Sequence, residues 1–481
     1  MTGLHETHSS VVVLLGDRAY KVKKPVDLGF LDFRTLAARQ RDCARELELN
    51  RRIAPDVYLD VATLAASDGT TLEPVLVMRR MPEERRLSTL VEQGADVDDA
   101  VRDVARLVAA FHTRADRGPE IAEAGGRAAL WRRWNANLDE TQRFRDAVLP
   151  AATHERIRRL ALRYVDGRGP LLAARATAGL TVDGHGDLTA QDIFCLPDGP
   201  RVLDCLEFDD RLRHVDVIDD VAFLAMEFEH LGRTDLAQRF LRWYTEFDAV
   251  TAVGSLQHHY IAYRAFVRAK VECLRAEQGV REAGAEAVRY AALALRHLEA
   301  GEVRLALVGG APGSGKSTLA AALADRLDAM VISTDDVRTE SSVEGGDRYR
   351  TEAKDATYRE VLARTRRALE NGESVIADAT WGDTAWRRAA AEVASSTSSA
   401  LIALHCTAPV DLAAQRADER QRSGAGTSEA GAAVAVALAV HRDPWPEAAV
   451  IDTSGPPEAS LSAALDAVGA AGWFAAQERA G

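Results

Sequence analysis

The run GAPGSGKST at 310–318 is the stretch of this chain best suited to gripping an anion. Gly310, Gly313 and Gly315 allow the backbone to curl so that successive N–H groups converge, and Ser314, Lys316, Ser317 and Thr318 stand around the same curl. An apolar strand-like segment, LALVG, precedes it, and STLAAALADRL follows as a helix whose N-terminal dipole adds positive charge. The arrangement implies that Lys316 bridges the β- and γ-phosphates of a nucleoside triphosphate while the Ser317 hydroxyl ligates Mg²⁺. ATP is the expected nucleotide, with GTP the alternative.

Further chemistry follows downstream. DAMVISTDDVR places a strand before Asp335, Asp336 and Arg338, and SVIADAT is a strand ending in Asp378 and Thr380. With LIALHCTAP and AVIDTSGPP this makes five short strands alternating with helices, a pattern that predicts a parallel sheet with ligands at its carboxyl edge. Asp378 is then a candidate metal ligand. A carboxylate facing a γ-phosphate suits a general base for a hydroxyl; Asp335 is assigned that role and Asp336 the helix N-cap. DLAAQRADERQRSG presents Arg416 and Arg420 one helical turn apart, with Arg422 close by, to stabilise charge on a transferring phosphoryl group. GAPGSGKST, STDDVR, IADAT and QRADER together resemble small P-loop kinases of the polynucleotide 5′-kinase, gluconate-kinase and zeta-toxin type, over about 300–455. The resemblance implies Asp335 as base, Arg338 on the acceptor side, and Arg416 and Arg420 in the lid.

A second set lies in DGHGDLTAQDIFCLPDGPRVLDCLEFDD at 183–210, where Asp187, Asp192 and Asp204 surround a strand-turn-strand. Three carboxylates so placed suit one base and one or two Mg²⁺ ions. The spacing resembles aminoglycoside phosphotransferase-like, protein-kinase-like enzymes. That resemblance implies Asp187 as the catalytic Asp, Asp192 and Asp204 as metal ligands, and Asp220 as a structural Asp. Asp192 departs from the family's Asn and adds negative charge. In AYKVKKP, Lys21 is the best match to the phosphate-pairing lysine and Lys23 the competitor on the same strand face. Glu46 is the expected ion-pair partner, with Glu48 the fallback. VMRRMP at 77–82 falls where a hinge would contact adenine, and ETHSS stands where a glycine-rich loop is absent. Tyr260, Arg264 and Arg268 recur every four residues and read more readily as helix packing with paired arginines than as a substrate clamp. Trp131 and Trp134 read as core. The whole order resembles fused proteins of actinobacterial genomes described as bifunctional phosphotransferase/ATP-binding proteins.

The elements that must position these residues divide near residue 301. The expected fold is α/β: a two-lobed, protein-kinase-like domain over 1–301, then a P-loop parallel-sheet domain over 302–481. VVVLLGD and RAYKVKKP read as a hairpin turning at Gly16-Asp17, and 35–53 as a helix stopping before Pro55. With 481 residues, 47% hydrophobic and 28% charged, the chain has material for two cores. A net charge of −13 argues against a broad nucleic-acid-binding surface. Five scattered cysteines with no CxxC pair imply neither a disulfide framework nor a zinc site, and no signal peptide or membrane span is read, so the expected compartment is the cytoplasm. GAAVAVALAV at 431–440 is half a membrane span. Only six of the 60 basic residues are lysines: Lys21, Lys23, Lys24, Lys270, Lys316 and Lys354. In so Arg-rich a chain, a retained lysine can mark a need for a compact point charge. The leading expectation is an ATP/Mg²⁺-dependent phosphotransferase with two nucleotide sites acting on a hydroxyl of a small polar or nucleotide acceptor. Two alternatives stand beside it: a 5′-kinase active only in the P-loop half, and a non-enzymatic ATP sensor.

Overall fold

The structure is a computed structural model that describes residues 3–6, 9–27, 32–340, 351–423 and 442–469. Two compact units are present: Met1–Pro150, Ala174–Ala252 and Tyr260–Ala294 form the first, and Ala151–Ala173, Val253–His259 and Leu295–Gly481 form the second.

In the first unit five strands build an antiparallel sheet: β1 (Gly3–Glu6), β2 (Ser10–Leu15), β3 (Arg18–Lys23), β4 (Tyr58–Ala65) and β5 (Thr71–Arg79), in the order β1-β2-β3-β5-β4. The β2–β3 hairpin closes Leu15 on Arg18 across Gly16-Asp17, with Gly16 at φ +60, as a two-residue turn requires. β1 lies ahead of the first strand expected from the sequence; four residues with exposed side chains carry little periodic signal. Of ETHSS, which links β1 to β2, Thr7 and His8 lie outside the described residues. The helix Leu36–Arg51 starts where the Thr35 hydroxyl accepts a hydrogen bond from the Ala38 N–H, and it ends ahead of Pro55.

Two short ribbons carry the acidic loop. β6 (Thr181–Asp183) pairs with β9 (His214–Asp216), and β7 (Ile193–Leu196) with β8 (Gly199–Val202). Beneath them the helix Val217–His230 is buried at every position from Val217 to Phe228, so it is a core helix rather than an amphipathic surface one. An antiparallel sheet followed by helices and a ribbon-borne acidic loop is the expected protein-kinase-like arrangement.

The second unit holds five parallel strands: β10 (Arg304–Gly309), β11 (Met330–Ser333), β12 (Val375–Asp378), β13 (Ala400–Thr407) and β14 (Ala449–Asp452). Their order is β11-β12-β10-β13-β14, with helices between successive strands, as the alternating pattern predicts. Val308, Leu404, Ile376 and Ile451 of the sheet pack with Leu319, Leu323 and Ala464 of the helices Lys316–Leu327 and Pro457–Val468. Register places Val308 beside Asp378, and Ser333 beside Asp378 on the other flank. The acidic residues therefore meet the glycine-rich loop at the carboxyl edge. No helix among the described residues is long and apolar enough to cross a membrane; GAAVAVALAV lies outside them. All five cysteines are free and buried.

Candidate phosphate-binding sites

In the first unit β3 aims two lysines at one glutamate. Lys21 Nζ lies 2.7 Å from Glu46 Oε1 and 3.0 Å from Asp204 Oδ1. Lys23 Nζ lies 2.6 Å from Glu46 Oε2, 2.7 Å from Asp42 and 2.7 Å from Glu207. Both candidate lysines thus reach the same partner. The fallback Glu48 instead pairs with Arg45 at the surface. Burial pulls both ammonium groups down, yet the surrounding carboxylates outweigh it and hold them above the ordinary lysine value. Asp42 and Glu207 were not singled out from the sequence. Asp42 stands one helical turn from Glu46 on the same face, and that spacing could have found it; Glu207 had no comparable signal.

The acidic loop is pinned from several sides. Asp220 accepts hydrogen bonds from the N–H groups of His185 (2.6 Å) and Gly186 (2.9 Å), and from His112 Nε2 at 3.0 Å. Burial would raise this carboxylate, but His112, His185 and Arg264 overcome it and hold it below the ordinary aspartate range. A Cβ at Gly184 would stand 2.4 Å from Asp220 Oδ2, so a side chain there would displace the anchor. Arg264, buried, donates to Asp219 at 2.7 Å and to the Gly186 carbonyl at 3.1 Å, and Tyr260 is buried, as the packing reading expects of these two; the buried Arg268 Nε has no hydrogen-bond partner among the described residues, and its charge acts on Asp187. Trp134 is fully buried against Tyr263 and Phe266. Trp131 is 41% exposed and so is not core, contrary to the expectation.

Asp204 adopts a left-handed backbone, φ +62, which aspartate tolerates better than most residues. Its N–H donates to Tyr58 Oη at 3.0 Å, and the next N–H, of Cys205, donates to Asn50 Oδ1 at 2.9 Å. Lys21 draws the Asp204 carboxyl below the usual range. Asp187 is pushed up to about 6, first by burial and then by Asp204 against the pull of Arg268. Asp192 accepts from the Thr189 hydroxyl at 2.7 Å, and burial with the Asp204 charge raises it strongly. The Asp204 charge raises the proton affinity of both Asp187 and Asp192, a repulsion that a divalent cation held by Asp192 and Asp204 would relieve.

Glu227, also missed in the sequence, accepts the Ala190 N–H at 2.5 Å and is pushed up to about 7 by burial. Its ordinary value is 4.5, so between about 4.5 and about 7 the folded state keeps a proton that the unfolded chain has released. Stability from this group is therefore lost as pH rises through that window. Glu227→Gln keeps the acceptor without the charge. Relative to wild type it is expected to gain up to about 3 kcal/mol between pH 4 and pH 8. Urea midpoints of both proteins across that range test this, and parallel curves would refute it.

In the second unit the loop Gly310–Gly315 leads into the helix Lys316–Leu327, with Gly313 and Gly315 both at φ +78. Lys316 is buried, and its charge acts on the buried Asp378, whose carboxylate accepts from Ser317. Burial still holds Asp378 above the ordinary range. Asp378 Oδ1 and the Ser314 hydroxyl have no hydrogen-bond partner among the described residues although both are buried. A hydroxyl and an orphaned carboxylate oxygen beside a lysine and convergent N–H groups fit Mg²⁺ with a triphosphate.

Asp335 accepts from Arg338 at 2.8 Å, an ion pair one turn along the helix Thr334–Glu340. The helix is capped by Ser333, whose hydroxyl accepts the Asp335 N–H at 3.1 Å, and not by Asp336, because the helix begins three residues earlier than an Asp336 cap requires. Arg416 donates to the Thr453 carbonyl at 3.0 Å and lines a pocket with Gly315 and Thr318. That contact sets it on the helix side of the loop. The Arg420 side chain lies outside the described residues.

These sites define a chain with two kinase-type folds, a protein-kinase-like unit and a P-loop unit. Residues 305–444 match the AAA domain family. The chain is 46% identical over 471 residues to the uncharacterized protein Rv2004c of Mycobacterium tuberculosis, spanning 96% of this chain and 94% of that one, and it belongs to that protein's family. Among solved structures it is similar to a putative kinase from Chloroflexus aurantiacus, at 20% identity over 34% of this chain and 96% of that one, with a TM-score of 0.31. It is also similar to a choline/ethanolamine kinase family protein from Mesorhizobium loti, at 13% identity over 62% of this chain and 92% of that one, with a TM-score of 0.39.

Proposed function

We propose that the protein is an ATP/Mg²⁺-dependent phosphotransferase with two nucleotide sites, each moving the γ-phosphoryl group to a hydroxyl of a small polar or nucleotide acceptor. The observation that carries this reading is that each unit sets a lysine beside carboxylates: Lys21 with Glu46 and Asp204, and Lys316 with Asp378.

In the first unit Glu46 orients Lys21 toward the α- and β-phosphates, and Asp192 and Asp204 hold the cation. Asp187, raised to about 6, still carries charge at neutral pH and accepts the proton of the incoming hydroxyl. In the second, Asp335 takes the acceptor proton, and the pairing with Arg338 keeps its carboxylate oriented. The acceptor oxygen bonds to the γ-phosphorus as the bond to the β,γ-bridging oxygen breaks, and ADP leaves. Mg²⁺, when bound, neutralises charge on the phosphate oxygens.

A second reading, transfer by the P-loop unit alone as a nucleotide or polynucleotide 5′-kinase, draws on one feature. Asp192 stands where the resembling enzymes have Asn, and its charge is suppressed by its neighbours.

Labelled ATP, Mg²⁺ and a panel of sugars, aminoglycosides, nucleosides and oligonucleotide 5′-ends separate the two. Lys316→Ala is expected to abolish one transfer activity and Asp187→Ala another, each leaving its counterpart intact. If Asp187→Ala loses nothing on any acceptor, the first unit is not a kinase. If neither variant loses transfer, the proposal as a whole is wrong.

A further inference from the structure

The phosphate loop of the second unit has a pocket on each side. One lies beside Gly315 and Thr318, where Arg416 and Thr453 line it. The other begins at Gly310 and Ala311 and is walled by Lys354, Thr380, Asp383 and Arg442. Its cavity volume is about 250 Å³, and it continues along Arg442 toward Trp445 and His405. A nucleotide that uses one side for its base leaves the other for the acceptor, an assignment that rests on the phosphotransferase reading above.

The charge balance of the Gly310-side pocket is unusual for so acidic a chain. Its two carboxylates are both committed to the start of the helix Thr384–Ser396: Asp383 accepts the Ala385 N–H at 2.8 Å and Asp443 accepts the Thr384 N–H at 2.8 Å. Its cations are not similarly committed. Among the described residues no carboxylate pairs with Lys354 or with Arg442, which donates to the Thr380 carbonyl at 3.3 Å. The strongest charged influence on Arg442 is another cation, Arg387, which with burial lowers its pKa. Arg387 in turn donates to the carbonyls of Trp381, Asp443 and Pro444 and forms no ion pair among the described residues. Half-buried cations set against one another are costly unless an anion joins them. Lysine is scarce here as well: Lys21, Lys23 and Lys316 already sit at the phosphate sites, Lys24 and Lys270 form surface ion pairs with Glu6 and Glu140, and Lys354 is left facing this pocket.

We propose that the Gly310-side pocket is an acceptor subsite for a molecule that already carries a phosphate monoester, whose dianion is held by Lys354 and Arg442. Phosphate matches both donors, a compact ammonium and a forked guanidinium. The enzyme would then add a second phosphoryl group to a phosphorylated acceptor. Its substrate would have to come from a reaction that installs the first phosphate.

The test uses the full chain with both nucleotide sites saturated by a non-hydrolysable ATP analogue and Mg²⁺. Calorimetric titrations compare ribose 5-phosphate with ribose, and adenosine 3′-monophosphate with adenosine. At least one phosphorylated probe is expected to bind tenfold or more tightly than its parent, and Lys354→Ala and Arg442→Gln are each expected to weaken it at least fivefold. The rise in melting temperature given by the ATP analogue shows that each variant is folded. Equal affinity for phosphorylated and parent probes, no binding by either phosphorylated probe, or unchanged binding by both folded variants would overturn the proposal. A wild-type chain that fails to bind the ATP analogue would instead remove the phosphotransferase reading on which it rests.

Discussion

Lys23→Met is expected to destabilise the first unit by about 3–5 kcal/mol, read as a lowered urea midpoint. The Lys23 side chain is 1% exposed and touches Asp42, Glu46 and Glu207 at 2.6–2.7 Å. Methionine fills the space of the stem but leaves the buried Glu46 and the partly buried Asp42 and Glu207 carboxylates facing one another with only Lys21 at hand. The pair would have to be desolvated in either case; what the mutation exposes is the cost of burying charge without its counter-charge. Lys21→Met makes the contrast. Its side chain is 14% exposed and its ammonium also pairs with the 47% exposed Asp204. It is expected to cost less stability and to lose nucleotide affinity instead. Adding Glu207→Gln to Lys23→Met removes one of the stranded charges and is expected to recover part of the loss, since the two residues are in contact. A Lys23→Met protein within about 1 kcal/mol of wild type would mean that solvent screens this cluster far more than its burial implies.

Gly313→Ala is the second large effect. An added Cβ would lie 2.0 Å from the Ala413 carbonyl oxygen, and φ is +78, a region that costs alanine about 1–2 kcal/mol even in open space. The obstructing atom is backbone, so the loop has to move, and the convergence of its N–H groups is lost with it. In a Lys21→Met background, where only the second unit is read, affinity for the ATP analogue is expected to fall by about 100-fold or more, which at 1.4 kcal/mol per tenfold is about 3 kcal/mol. Gly315→Ala shares the same φ but its nearest contact, the Thr453 Cβ, is at 3.2 Å rather than 2.0 Å, so the shift required is a few tenths of an ångström and it is expected to lose less. The reverse order would show that backbone conformation rather than close approach decides the shape of this loop.

The second unit was readable because its signals are local. Gly310–Ser317 carries its own turn chemistry, and the strands are apolar runs alternating with helices, so the parallel sheet and the carboxyl-edge position of Asp378 follow from that alternation, while the strand order does not. For Arg416 a helical period gives its face but not which wall of the cleft that face meets; its bond to the Thr453 carbonyl is a tertiary fact. In the first unit the order of Lys21, Glu46, Asp187 and Asp204 was legible through resemblance, whereas Glu207 and Glu227 were not. An isolated glutamate looks the same in sequence whether solvated or sealed in. The choice between Lys21 and Lys23 could not be made from periodicity, since residues two apart on a strand share a face. Both reach Glu46, so the alternatives turn out to be parts of one cluster.

The anchoring of the Asp187 loop reaches farther than the loop's own neighbours. Asp220, which receives the His185 and Gly186 N–H groups, is joined through His112 to Tyr244, and Tyr244 Oη donates to Asp248 at 2.8 Å on the half-buried rim of the helical part. A turn that must hold its shape during chemistry is thereby moored to a residue that water can reach. An edit at Asp248, which touches no phosphate-handling group, would slacken that mooring from the outside. Sequence drift at this outlying position is thus coupled to the working loop, and relatives that change Asp248 would need to change Tyr244 or His112 in step.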